Sequence, residues 1–320
     1  MKQKLGTLRR VSPRQVWSSE AQDFTPWLAE NLPQLSEVIG MDLELLQTEA
    51  SVGDFSLDIL AKDLSTSRTV VIENQFGQTD HDHLGKILTY ASGVGAAVLV
   101  WIAEEVREEH RQALEWINER TDEETSIFAL ELQVLQIEDS PPAFNLKPVV
   151  APNKWQKATR TASRGAVSSR GQAYLEYFDQ LLHDLREKHR FTKAKVAFPQ
   201  NWYSFTSGIR GVSYGTSFAQ GDRIRAEVYI DCQDRAVNKQ VFDTLYSQRE
   251  ELERRFGAPL SWERLDERRA SRIAVYRPGS IEADASTLSD IRTWAIGQLI
   301  KFREVFGPIL RKELGQIPGA

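Results

Sequence analysis

Two short apolar runs, residues 55–61 and 69–76, are rich in β-branched residues and bounded by Asp, Ser and Gly, the pattern of strands buried on both faces or nearly so. Residues two apart on a strand share a face, so Glu73 and Gln75 project with Val71, while Val70, Ile72 and Phe76 cover the other side. Ahead of them, residues 42–50 alternate Leu43, Leu45 and Gln47 with Glu44 and Leu46, a third strand leading into a turn at Gly53. Ser18 and Ser19 are placed to cap a helix over residues 20–31 with Phe24, Trp27 and Leu28 on one face. After the strands, Leu84, Ile87, Leu88 and Ala91 recur at helical spacing over residues 81–93, and Thr79 with Asp82 resembles a cap. The run AAVLVWIA is a fully apolar core strand, and Glu104, Glu105, Glu108 and Glu109 are expected to open the next helix, buried through Leu114 and Ile117. Period-two alternation over residues 126–138 predicts one more strand. A basic stretch within residues 1–17 suits a strand or an arm.

Helix, three strands, helix, strand, helix, strand describes a mixed sheet flanked by helices, an α/β domain over residues 1–150 that Pro141, Pro142, Pro148 and Pro152 bring to an end. Residues 151–171 form a linker in which Lys154, Lys157, Arg160, Arg164 and Arg170 stand without one acidic residue. Such a segment can track a phosphate backbone, and is equally common as a plain connector. Residues 172–320 read as an α+β domain: a helix over 172–188, Gly-punctuated strands over 202–218, a strand from Ile224 to Cys232, a charged helix over 239–256, one or two strands over 260–276 and a long helix over 290–314. Trp202, Tyr203 and Tyr214 beside Arg210 and Arg223 invite comparison with a base-stacking platform, although aromatic side chains in short strands are more often core.

At 320 residues the chain is long enough for two cores, and its hydrophobic 41% and charged 27% are ordinary for globular protein. It has no apolar run of about 18 residues and no signal-peptide pattern, which points to a cytoplasmic protein without a membrane role. Cys232 is alone, excluding a disulfide framework or a thiolate zinc site, and five scattered histidines argue against a His-rich one. The net charge of −5 hides a division: residues 1–150 hold 12 Lys and Arg against 25 Asp and Glu, and residues 151–320 hold 28 against 20. An acidic first half suits a metal-holding domain or a partner protein's contact face, and a basic second half attracts phosphate; mutual docking of the halves would use the same charges. Loops for NTP binding, nucleophile elbows and dinucleotide fingerprints are missing.

What remains is acid in apolar strands. Asp58 lies between Leu57 and Ile59, Glu73 between Ile72 and Asn74, and an unpaired buried charge costs several kcal/mol. If the two carboxylates converge, one pKa rises unless a divalent cation lies between them, and hard oxygen ligands suit Mg²⁺ or Mn²⁺. Glu20 is a further acidic candidate, through a metal-bound water, although a glutamate in a first helical turn is also what the dipole favours; Glu49 ranks behind it. His81 and His83, two apart on a helix, diverge; they form a metal pair only in a loop, and otherwise contact phosphate, assist proton transfer or stay satisfied at the surface.

Asp58, a short turn, Glu73-Asn74-Gln75 in an apolar strand and a following helix resemble the PD-(D/E)XK nuclease superfamily, and the layout is similar to bacterial proteins in which this nuclease-like half precedes a C-terminal domain of unknown function, DUF4268. The resemblance implies a restriction-endonuclease-like core. It implies Asp58, Glu73 and the Asn74 carbonyl as metal ligands, and Gln75 at the place of the usual catalytic lysine, where glutamine occurs both in active enzymes and in members without activity. Lys86 and Tyr90, four apart on one helix face, resemble the Gln-x-x-x-Tyr motif of RecB-like members with lysine for glutamine, so Lys86 could supply the missing positive charge. The resulting expectation is a Mg²⁺- or Mn²⁺-dependent DNA phosphodiesterase in defence or repair, for which a homodimer would suit double-strand cutting. The alternatives are an inactive nuclease fold that binds nucleic acid or a partner protein, and a protein-partner module built on the acidic half.

Overall fold

The computed structural model describes residues 6–53, 55–121, 125–152, 168–232 and 234–314, and divides the chain into two units. Unit 1 comprises Met1–Ile39, Leu45–Asp63 and Ser67–Ala166; unit 2 comprises Gly40–Glu44, Leu64–Thr66 and Val167–Ala320. No helix of the described residues is long and apolar enough to cross a membrane.

The first unit is built on a curled, mixed seven-stranded sheet: β1 (Leu8–Val11), β2 (Leu43–Val52), β3 (Phe55–Asp63), β4 (Thr69–Gln78), β5 (Val98–Glu105), β6 (Ser126–Ile137) and β7 (Ala143–Val150), in the order β1-β6-β5-β4-β3-β2 with β7 also on β6. β3 and β4 run antiparallel, whereas α3 (His81–Val94) and α4 (Glu108–Arg120) return the chain so that β4, β5 and β6 are parallel. The curl follows from β6, whose residues 126–131 pair with β5 and 134–137 with β1 along one edge, while β7 takes the other. β4 is buried on both sides from Val70 to Gln75, which explains its apolar start Val70-Val71-Ile72 and makes the polar Glu73-Asn74-Gln75 that follow exceptional. Val71, Leu99, Trp101 and Ile127 pack beneath Ile87, Tyr90 and Ala91 of α3 and Leu114 of α4. Towards the N-terminus a π-type turn at Glu20–Phe24 runs into α1 (Thr25–Glu30) and α2 (Leu32–Ile39), and the Phe24 ring meets Phe76 at 5.7 Å.

Several expectations need correcting. Glu104 and Glu105 finish β5, and the helix starts at Glu108. The proline-rich residues 141–152 include one more strand: Pro148 lies inside β7, an edge strand whose free side needs no N–H donor. The helix after residue 20 is interrupted at Asn31 and resumes as α2, with Pro33 in its first turn, where a missing N–H is harmless.

In the second unit β8 (Trp202–Ile209), β9 (Val212–Ala219), β10 (Arg223–Ile230), β11 (Ser261–Glu263) and β12 (Ser271–Pro278) form an antiparallel sheet ordered β11-β12-β10-β9-β8. Its inner face, with Tyr203, Phe205, Tyr214, Ile224 and Val228, packs on α5 (Ser169–Glu187) and α8 (Ala285–Leu314) through Phe178, Leu181, Leu299, Phe302 and Phe306. Tyr203 and Tyr214 are wholly buried there, so neither belongs to a stacking platform. The charged helix expected over 239–256 is two helices, α6 (Arg235–Ser247) and α7 (Arg249–Phe256), joined at Gln248.

Two polar features lock this unit. Lys239 on α6 is 7% exposed, and its ammonium donates to the carbonyls of Arg264, Leu265 and Ala270 at 2.5, 2.9 and 2.7 Å and to Ser271 Oγ at 3.2 Å. On the outer sheet face Glu227 meets Arg225 Nε at 2.9 Å and Arg272 Nε at 2.5 Å, and it lies opposite Gly215, where an added Cβ would come within 3.1 Å of Glu227 Oε1.

The β8–β9 turn depends on Gly211. Its φ of 74° is left-handed, and a Cβ there would stand 2.5 Å from Cys232 Cα, a backbone atom that cannot step aside. Gly211→Ala is expected to cost about 3 kcal/mol from dihedral strain and the clash together. Urea denaturation should show the loss as a lower midpoint at unchanged slope.

Candidate functional site

Asp58 and Glu73 are brought together by strand register. β3 and β4 pair with Ile59 opposite Ile72, and one residue further along Asp58 stands across from Glu73. The Asn74 amide N–H donates to Asp58 Oδ2 at 2.7 Å, tying the acid to the neighbouring strand. Glu73 is 5% exposed, beneath α3 and beside Trp101 of β5, and its Oε2 is buried without a hydrogen-bond partner.

Burial dominates the electrostatics. It pushes the Asp58 carboxyl up to about 7, helped by the charges of Glu20 and Glu49 and opposed by the Asn74 N–H and Lys86. Burial likewise lifts Glu73 to about 8, with the Asp58 charge adding to it and Lys86 opposing. Glu20, first residue of the π-type turn, accepts the Phe76 N–H at 2.6 Å and is itself raised by burial. Four acids therefore share one electrostatic neighbourhood. Among the described residues, however, no three His, Cys, Asp or Glu side chains are grouped so as to hold a metal ion, so the set that converges is the Asp58–Glu73 pair. An orphaned carboxylate oxygen flanked by a second carboxyl fits a hard divalent cation.

Gln75 shares the Glu73 face, and its amide is already engaged: Nε2 donates to the Gln78 carbonyl at 2.8 Å and to Asp80 Oδ2 at 2.6 Å, which leaves Oε1 buried and unpartnered. Asn74 faces the other way, its side-chain N–H on Thr25 Oγ1 at 2.8 Å.

α3 completes the surroundings. Its N-cap is Asp80, accepting the His83 N–H at 2.8 Å, whereas Thr79, the expected cap, accepts from the Arg107 N–H at 3.0 Å. Lys86 and Tyr90 do share a helix face. Tyr90 is buried; Lys86 pairs with Asp82 at 2.8 Å and is close enough to lower both acids. His81 and His83 part company: His83 Nδ1 meets Asp80 Oδ1 at 2.9 Å, and His81 Nδ1 meets His110 Nε2 at 2.7 Å. His110, buried against Thr79 and Trp101, has no local signature that singles it out, since its hydrogen-bond partners Thr79 and His81 lie about 30 positions away. Lys154, Lys157, Arg160 and Arg164 lie outside the described residues; Arg170 lies in the first turn of α5.

Residues 173–310 match the model of the Domain of unknown function DUF4268. No curated protein matches the chain. A solved structure described as the crystal structure of a repair endonuclease from Pyrococcus abyssi is weakly similar, at 16% identity and a TM-score of 0.27, over 31% of this chain and 43% of that chain.

Proposed function

We propose that the first unit is a PD-(D/E)XK-type, Mg²⁺- or Mn²⁺-dependent phosphodiesterase acting on DNA in a defence or repair setting. The observation that carries this reading is the Asp58–Glu73 pair, the first acid half-buried and the second buried with an orphaned Oε2, because a sheet serving structure alone would gain from apolar residues at both positions. Asp58, Glu73 and the Asn74 carbonyl would hold the cation, with Glu20 contributing through water. The bound cation would supply Lewis acidity and a lowered water pKa. Lys86 is the nearby cation whose field already reaches both carboxyls, and it would steady charge on the phosphate. Tyr90, packed one turn beyond it, would orient that side of α3, and His81 and His83 line its opening turn.

A second reading is favoured by Gln75. With Nε2 spent on Gln78 and Asp80, that side chain would have to break a charge-assisted bond before positioning a water, which suits a nuclease fold that binds nucleic acid or a partner protein without cutting. Cleavage of supercoiled plasmid and of single-stranded DNA in Mg²⁺ and in Mn²⁺ separates the two. Cutting by the wild type that falls at least about a hundredfold in both Asp58→Ala and Glu73→Ala is the expected result. Salt-sensitive DNA binding without cutting would establish the second reading instead.

A further inference from the structure

A cleft of about 430 Å³ opens in the second unit between the first turn of α5, the end of β9 and the loop around Gly279. Its floor is aromatic: Tyr174 and Phe218 lie with ring centroids 5.6 Å apart, both nearly buried. Asn201 fixes that floor, its Nδ2 donating to the Phe218 carbonyl at 2.9 Å while its own carbonyl accepts the Phe218 N–H at 2.8 Å. Around the mouth stand Arg170, Gln220 and Asp222, and among the described residues none of these side chains makes a hydrogen bond or an ion pair. The Arg170 guanidinium instead stands 5.9 Å from the Tyr174 ring centroid.

The three side chains, exposed and without a polar partner among the described residues, offer different chemistry to a ligand. Arg170 seeks an anion, Asp222 seeks N–H donors, and Gln220 offers both a donor and an acceptor. A bare anion would face the Asp222 carboxylate and leave the rings unused, and an apolar compound would leave the charges unmet. A flat heteroaromatic ring carrying N–H donors on its edge and a phosphate on its far side meets all three demands, and the volume lies in the ~300–1,000 Å³ range of small-ligand sites. We propose that this cleft binds one nucleotide unit, its phosphate on Arg170, its base on the Tyr174–Phe218 floor and its edge on Gln220 and Asp222. A carboxylate pairs best with two adjacent N–H donors, so guanine is the favoured base.

The same chemistry is presented by a free nucleotide and by an unpaired nucleotide within a strand. Calorimetric titration of the full chain carrying Asp58→Ala, in EDTA, keeps the measurement independent of any phosphodiesterase activity. GMP is expected to bind more tightly than AMP, CMP or UMP, and inorganic phosphate at equal concentration not to displace it. Arg170→Ala should weaken GMP binding about tenfold or more, and Asp222→Asn should remove the preference for guanine. Tighter binding of a short G-containing single strand than of GMP identifies a strand as the source; equal affinity identifies the free nucleotide. Absence of heat with every nucleotide and with the strand at millimolar concentration overturns the proposal, as does GMP binding that Arg170→Ala and Gln220→Ala both leave unchanged. Arg170 and Gln220 are exposed, so both variants should keep the wild-type circular dichroism and thermal midpoint.

Discussion

Replacing Glu73 with glutamine is expected to raise the thermal midpoint of the metal-free protein at pH 8 and to leave it nearly unchanged at pH 5. In the folded chain burial holds this carboxyl protonated up to about pH 8, whereas in the unfolded chain it ionises near its ordinary value of 4.5. Between those values the unfolded state releases a proton that the folded state keeps, so this group's contribution is full below pH 4.5 and is lost as pH rises through 8. Glutamine resembles the protonated acid and removes that loss. Burial and the neighbouring Asp58 charge both bear on the ionised acid, and a gain of about 2 kcal/mol, or roughly 6 °C, is expected at pH 8. Adding Mn²⁺ should reverse the order: the wild type gains stability, more at pH 8 than at pH 6 because binding displaces protons, and Glu73→Gln gains little. A Glu73→Gln protein less stable than wild type at pH 8 would show that the carboxylate is satisfied, and the buried-acid picture would fail.

Lys239→Met is expected to destabilise the second unit strongly. The replacement keeps the aliphatic stem but removes the ammonium donor of the buried Ala270 carbonyl and one of two donors of the Arg264 and Leu265 carbonyls, which keep Ser271 Oγ and the Arg268 N–H; a buried acceptor left without a donor costs about 1–3 kcal/mol. With one carbonyl orphaned and two charge-assisted bonds lost besides, about 3 kcal/mol is the expected loss, a fall of roughly 8 °C in calorimetry. Because those carbonyls belong to the segment joining β11 to β12, amides of residues 264–271 should also exchange faster than those of α8. A change below about 1 kcal/mol would mean that the segment is held by its other bonds, Arg264 to Asp243 and Arg269 to Asp231.

Where local pattern decides structure, the sequence was readable. The apolar runs at residues 55–61, 69–76 and 96–103 and the alternation over 126–138 became β3 to β6, since burial on one or both faces leaves a periodic trace. The pairing of Asp58 with Glu73 could be anticipated because a charge in such a run requires a partner. Three features left no such trace. Asp80 won the cap over Thr79 because Thr79 is claimed by the Arg107 amide, about 28 residues away and invisible to a local rule. β7 was hidden by Pro148, which only an edge position excuses. The engagement of Gln75 depends on the bulge in β4 at Gly77, whose φ of 99° brings Gln78 and Asp80 back towards it.

The contact between Gly215 and Glu227 has a meaning for sequences other than this one. Each residue is tolerable because of the other: the glycine leaves room for the carboxylate between Arg225 and Arg272, and the carboxylate leaves no room for a methyl group. In an alignment of sequences sharing this domain, the two columns should therefore covary, a larger residue at the first position appearing with loss of the glutamate, and of an arginine's reason to be there, at the second.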